Sequence, residues 1–219
     1  MEQDWNHILF LHWKISPDLI QSKVPFDLDL FEGNAVVSIV PFQMNRIRFP
    51  FLPVVPFFSS LWELNLRTYV QVNGAPGVYF FTLDTDSRLG SLIANRFFHL
   101  PYRLAKMTGD VSHQQYCFSS SREGANFKLK AKISNALKNE NKNELDAWAT
   151  DREHLFTEFK KKIYQGTVIH APWRLQKVEE IEFEDRFSSL LNLQFKKVPD
   201  EIAYCEHLSV RFRRFQIVG

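Results

Sequence analysis

The run ELNLRTYVQV at 63–72 sets four chemically different side chains on one line: Glu63, Asn65, Arg67 and Tyr69. Successive strand residues point to opposite faces, so these four share a face while Leu64, Leu66, Thr68, Val70 and Val72 share the other. On the outside of an antiparallel sheet such a row is a solvated face. Turned toward an enclosed space, it is equipped to hold a polar ligand. The guanidinium would bind an anion through charge-assisted hydrogen bonds, and Glu63 would be the candidate acid or base. An interior Arg–Glu pair must be compensated for lost hydration, and a polar ligand supplies that compensation. The pattern leaves both readings open. The stretch RFPFLPVVPFF at 48–58 favours enclosure, because an extended proline- and phenylalanine-rich segment can wrap over a mouth.

Two further clusters carry candidate chemistry. His170-Ala171-Pro172-Trp173 reads either as a turn with a packed indole and a surface imidazole, or as a ring and an imidazole facing a cavity from a strand end. Cys205-Glu206-His207 is the densest group of metal-ligand types. Only Cys205 and His207 share a strand face there, so no metal is expected. The sequence has no GxGxxG, P-loop, GxSxG, HExxH or CxxC, and its seven histidines are dispersed. No cofactor is expected.

Short β-type segments must position these residues. AVVSIVPF (35–42) reads as a buried strand after the turn Glu32-Gly33-Asn34. The 63–72 strand turns at NGAPG (73–77) into VYFFTLD (78–84), which is apolar on both faces and so expected to be covered on both sides. Residues 87–98 read as an amphipathic helix with capping oxygens ahead of it. Segments 113–121 and 126–134 form an expected hairpin, and 153–159 with 163–170 another. Residues 135–144 are polar and read as a loop, and 144–151 as a short helix. Residues 174–183 read as a strand, 187–193 as a short helix and 207–218 as the last strand. The fold class is α+β, strand-dominated with a few short helices, in one domain over 1–219.

Composition sets outer bounds. The chain has 219 residues, 45% of them hydrophobic, with 21 Phe and only 8 Gly. That excludes collagen-like, low-complexity and coiled-coil classes. A net charge of +2 gives no reason to expect a nucleic-acid partner. The basic groups Lys128/Lys130/Lys132, Lys160/Lys161/Lys162 and Arg211/Arg213/Arg214 read as solvated faces and turns. Cys117 and Cys205 could form one bridge, but a reducing compartment suits them equally. The start of the chain lacks the basic region of a secretory signal, and no apolar stretch is long enough for a membrane span. A cytoplasmic setting is expected, with a small-molecule ligand as partner and no membrane partner. A homo-oligomer stays open through Phe49, Phe51, Phe57 and Phe58, whose joint exposure would make an interaction surface.

Seven short motifs in order, FLHW (10–13), IVPFQM (39–44), ELNLRTYV (63–70), GVYFFTLD (77–84), LPYRLAKM (100–107), WATDREHLF (148–156) and HAPWRLQ (170–176), resemble the YqjF-like family of uncharacterised bacterial proteins. The likeness runs through almost the whole chain. Where that family commonly has Thr-Glu-Arg, this sequence has Thr150-Asp151-Arg152.

The family in turn distantly resembles acetoacetate decarboxylase. That implies a mainly antiparallel, closed or cone-like β-barrel with peripheral helices around a small-molecule pocket. The decarboxylase works through a Schiff-base lysine whose pKa is lowered by a neighbouring lysine. Here Tyr102 and Arg103 of Pro101-Tyr102-Arg103-Leu104 stand at that pair, and neither can form a Schiff base. Glu63 matches one pocket glutamate, while the second falls near Val37-Ser38, where there is no acid. Lys106 lies one turn further on if the stretch is helical, and is not expected to reach the pocket. The resemblance therefore implies the scaffold without the lysine chemistry. Ligand-binding candidates are Asn65, Arg67, Tyr69, Tyr102, Arg103, His170 and Trp173, with Tyr102 donating to a carbonyl oxygen. The alternatives are an enzyme with lysine-independent acid/base chemistry on a carbonyl compound, and a non-catalytic interaction or homodimer module.

Overall fold

The computed structural model describes residues 1–48, 60–138 and 143–219. Its elements are β1 (Glu2–Ile15), β2 (Asp27–Leu28), β3 (Ala35–Arg48), β4 (Ser60–Val72), β5 (Ala75–Thr85), α1 (Arg88–Phe98), β6 (Tyr102–Leu104), β7 (Lys106–Ser112), β8 (Gln115–Arg122), β9 (Ala125–Leu137), α2 (Glu144–Thr150), β10 (His154–Phe159), β11 (Lys162–His170), β12 (Gln176–Asp185), β13 (Glu201–Phe212) and β14 (Gln216–Ile217), with three short 3-10 turns. The fold is α+β, mostly strand, as the patterning predicts.

Strand pairings run β11-β10-β5-β4-β3-β1-β13, and β13 pairs back onto β11 through Val168–Phe212, Ile169–Arg211 and His170–Val210. Among the described residues this is a ring of seven strands. From β13 the sheet continues as an arm, β12-β9-β8-β7. The arm folds over the outer face of β1, β3 and β4. Leu9, Leu11, Val37, Ile39, Leu64 and Leu66 pack there against Tyr116, Phe118, Phe127 and Leu129. The inner face of the ring holds a second apolar cluster that includes Ile8, Phe10, Val40, Phe42, Met44 and Leu61. β3 is thus covered on both sides, which is why AVVSIVPF shows no polar alternation. β7 approaches β4 closely: a Cβ on Gly109 would lie 2.2 Å from the Trp62 ring, so this edge requires glycine.

Several elements differ from expectation. The N-terminal residues form β1, which pairs with both β3 and β13. Its run EQDWNHILFLHWKI is polar first and apolar on both faces later, so it shows no period. The NGAPG turn contracts to Asn73-Gly74, both at positive φ, and Ala75 already belongs to β5. Residues 100–107 are not helical: β6 and the start of β7 replace the turn that would have carried Lys106 inward. The last strand starts at Glu201, not 207, and breaks after Phe212. α1 begins one residue later than expected, with Ser87 Oγ accepting from Gly90 N at 3.0 Å. Residues 187–193 hold only a 3-10 turn, Ser188–Leu191. Cys117 and Cys205 are free thiols. No helix among the described residues is long and apolar enough to cross a membrane. The phenylalanine-rich stretch 49–58 lies outside the described residues.

Candidate functional site

β4 carries the row of side chains into the ring in layers fixed by strand register. Leu61 lies beside Met44. Glu63 lies beside Phe42 and Thr85, Asn65 beside Val40 and Leu83, and Arg67 beside Ser38 and Phe80. Thr82 pairs with Leu66 and Phe80 with Arg67, so Phe81 is an extra residue in β5. This bulge lets Val78 and Phe80 on one side of it, and Leu83 and Thr85 on the other, all line the interior. The solvated-face reading of Glu63–Tyr69 therefore fails, because the ring closes over that side while the arm covers the leucine side. Glu63 is 2% exposed and Asn65 3%.

The interior holds a cavity of about 150 Å³, mostly apolar, lined by Glu63, Asn65, Arg67, Tyr102, Arg152, His154, His170 and Trp173 among its polar or amphipathic groups. Tyr102 Oη donates to Glu63 Oε2 at 2.7 Å, and Asn65 Nδ2 donates to Oε1 at 3.4 Å. Burial pushes the Glu63 carboxyl up to about 7. The hydrogen bonds from Tyr102 and Asn65 and the Arg67 charge oppose the rise, and the Asp84 charge adds to it. Asp84 itself lies on the outer face of β5, bonded to Arg122 at 2.6 Å. Burial first, and then the Glu63 charge, hold the Tyr102 phenol well above its ordinary range. Tyr102 is therefore a neutral donor.

Two guanidiniums share the far side. The Arg67 guanidinium carbon lies 5.4 Å from the Phe10 ring centroid and 5.7 Å from that of Tyr69. Arg152 has its guanidinium carbon 5.7 Å from the same Tyr69 ring centroid and 4.2 Å from that of Trp148. Its Nη1 meets Asp29 Oδ2 at 2.6 Å and its Nε donates to the Trp148 carbonyl at 2.7 Å. Arg67 Nε, Arg152 Nη2 and Asn65 Oδ1 are buried without a hydrogen-bond partner among the described residues. Buried orphan donors on permanently charged groups are costly, and an anion would satisfy them.

Behind this layer Tyr69 Oη bonds Ser38 Oγ at 2.9 Å, and Ser38 Oγ shares a 2.6 Å hydrogen bond with His12 Nδ1. Burial, and then the charges of Arg67 and Lys138, hold His12 well below its ordinary pKa, so it is neutral.

The structure brings six of the sequence-predicted residues to the cavity: Glu63, Asn65, Arg67, Tyr102, His170 and Trp173. Trp173 Nε1 donates to the Thr150 carbonyl at 2.9 Å and its ring meets Phe10 edge-on at 5.1 Å. The His170 ring lies 5.0 Å from Trp173. Tyr69 shares the row but does not line the cavity, since its hydroxyl is taken by Ser38. Arg103 is exposed, because β6 sends Tyr102 inward and the next residue outward. Lys106 is also exposed, and no lysine lines the cavity among the described residues. Cys205 is buried while His207 is exposed and bonded to Asn6, so the two do not converge. No set of three metal-ligating side chains comes together among the described residues. Arg152 and His12 were not among the predicted site residues. Their only signals were the motifs WATDREHLF and FLHW.

The fold of this chain is similar to that of several solved structures. The acetoacetate decarboxylase of Legionella pneumophila superposes with a TM-score of 0.73 at 13% identity, over 100% of this chain and 87% of that one. The enduracididine biosynthesis enzyme MppR, in complex with pyruvate, gives 0.70 at 11% identity, over 100% and 90%. An acetoacetate decarboxylase-like enzyme from Sphingomonas wittichii RW1 gives 0.65 at 13%, over 100% and 93%. At such identities the likeness is one of fold. Residues 2–209 match DUF2071, described as an uncharacterized conserved protein, and the chain belongs to that family. It is 39% identical over 184 residues to the uncharacterized protein YqjF of Bacillus subtilis, covering 82% of this chain and 76% of that one.

Proposed function

We propose that this chain binds a small anionic carbonyl compound, of the keto-acid kind, inside a barrel-like, acetoacetate decarboxylase-like ring. The observation that carries this reading is the pair of cavity-lining arginines with buried, unpartnered N–H groups beside the Glu63–Tyr102 pair. Arg67 and Arg152 would take the carboxylate, and Tyr102 or a protonated Glu63 would donate to the carbonyl oxygen. The pyruvate in the MppR structure accords with a ligand of this size on this fold. Two free thiols accord with a reducing, cytoplasmic setting. The test is a thermal-shift titration with pyruvate and acetoacetate, on the wild type and Arg67→Gln. A ligand at 100 times its Kd stabilises the folded state by about 2.7 kcal/mol, which for a chain of this size is a rise of about 5–11 °C. Saturable stabilisation that Arg67→Gln removes is expected. An unmoved melting temperature with every short keto acid would overturn the reading.

A second reading concerns chemistry at the same place. A carboxyl titrating near neutrality, held by a neutral phenol, is suited to moving a proton at the carbon next to a carbonyl. Such an enzyme would exchange that hydrogen for deuterium in D₂O, and Glu63→Gln would abolish the exchange. Borohydride trapping with acetoacetate is expected to give no lysine adduct under either reading.

A further inference from the structure

The polar row on β4 ends abruptly. Inward positions 67, 65 and 63 carry a guanidinium, an amide and a carboxyl, and the next inward position is Leu61. Strand register puts Met44 beside Leu61 and Trp5 beside Met44. Phe212 at the end of β13 meets the Trp5 ring edge-on at 6.0 Å, and Ile93 lies one turn along α1 from Gly90, which packs on Leu61. Along β4, Leu61 is about 7 Å beyond Glu63 at the usual strand rise. The cavity is therefore divided by polarity, with charge on the Arg67 side of Glu63 and mainly apolar surface on the other, where the Gln3 amide oxygen is already taken by Trp5 Nε1 at 2.9 Å.

We infer that the ligand is amphipathic: a keto acid whose carbonyl head is followed by a compact apolar group, packed against Leu61, Met44 and Ile93. This rests on the head-group reading above and adds the substrate class. The head fits the two arginines and the Glu63–Tyr102 pair. Pyruvate and acetoacetate would fill that half and leave the apolar half with no complementary surface. The volume sets the upper limit. The cavity is small, about 150 Å³, so the apolar group must be compact. Long acyl chains do not fit.

The test is isothermal titration of the wild type with a series of 2-keto acids that share one head, from pyruvate through the isopropyl and isobutyl members to a linear eight-carbon chain. Affinity is expected to rise by about fourfold per buried methylene up to the isobutyl member, and then to fall. In Ile93→Phe, which fills the apolar end, the ratio of isobutyl to pyruvate affinity should drop by about tenfold or more, with a melting curve checking that the variant folds. Equal affinity along the wild-type series would overturn the inference while leaving the head-group reading standing, and so would a continued rise to eight carbons. Failure of every member to bind, pyruvate included, would overturn both.

Discussion

Replacing Glu63 by Gln should stabilise the protein, and by an amount that depends on pH. In the unfolded chain this carboxyl loses its proton above its ordinary value of 4.5, whereas in the folded protein burial holds the proton until about 7. A group whose folded pKa is raised favours the folded state fully below the unfolded value, and that contribution is lost as pH rises to the folded one. At about 1.4 kcal/mol per pH unit, the interval from 4.5 to 7 corresponds to a loss of about 3 kcal/mol above neutrality. The amide of Gln keeps the shape and the acceptor for the Tyr102 hydroxyl, and its N–H₂ can meet Asn65 Oδ1, which has no partner among the described residues. It cannot ionise. The assay is urea unfolding of wild type and Glu63→Gln from pH 4.5 to 8.5. The two should be within about 1 kcal/mol of each other at pH 4.5. They should diverge until the variant leads by about 3 kcal/mol at pH 8, equivalent to about 6–12 °C in melting temperature. Taking the difference between the two proteins cancels every other titrating group that the substitution does not touch. Parallel stability curves across that range would refute the buried-carboxyl argument, and with it Glu63 as an acid or base poised near neutrality.

Two other perturbations test neighbouring parts of the site. Arg152→Met removes the guanidinium bonded to buried Asp29 and should cost about 3–5 kcal/mol in unfolding experiments; adding Asp29→Asn should recover part of that loss, and a double variant no more stable than the single one would count against the pair. His12 is held neutral in the folded state by burial and by the charges of Arg67 and Lys138. Its contribution is present above pH 6.5 and lost as pH falls below it, so His12→Gln should lose stability less steeply than wild type between pH 6.5 and 5, and equal slopes would refute this.

The alternation in 63–72 placed Glu63, Asn65 and Arg67 together on one face of a strand, because Leu, Thr and Val recur at a strict period of two. It could not say which face is wet. Both are covered, one by strands that begin at Lys106 and the other by a ring that closes only when β13 meets β11. Such long-range pairings leave no local trace. β1 was missed for a related reason: a central strand buried on both faces loses its period. Tyr69 shares the row with Glu63, yet periodicity says nothing about depth, and a hydroxyl facing Ser38 is taken before the cavity begins. Arg103 followed from alignment with a lysine pair, while strand geometry allows only one of two neighbours to face inward. Arg152 lies just past α2, in a stretch without strand or helix period. Nothing in its immediate sequence announces that Asp29 and Trp148 hold it at the cavity wall.

The arginines also explain how this interior can keep positive charge without a lysine. A buried lysine sheds its proton readily, and a Schiff-base mechanism depends on that. A guanidinium does not deprotonate in a protein, so Arg67 and Arg152 hold their charge whatever the surroundings. They lie against the rings of Phe10, Tyr69 and Trp148, whose faces attract cations and offset part of the lost hydration. Asp29 balances Arg152. Arg67 has no carboxylate bonded to it among the described ion pairs, and Glu63 is substantially protonated at neutrality. The cavity therefore carries a positive charge that an anionic head would neutralise. An anion bound there would disfavour ionisation of Glu63 still further, so a keto acid would arrive beside a carboxylic acid able to donate to its carbonyl. On this reading the fixed charge and the movable proton sit on separate groups, whereas a catalytic lysine would have to supply both.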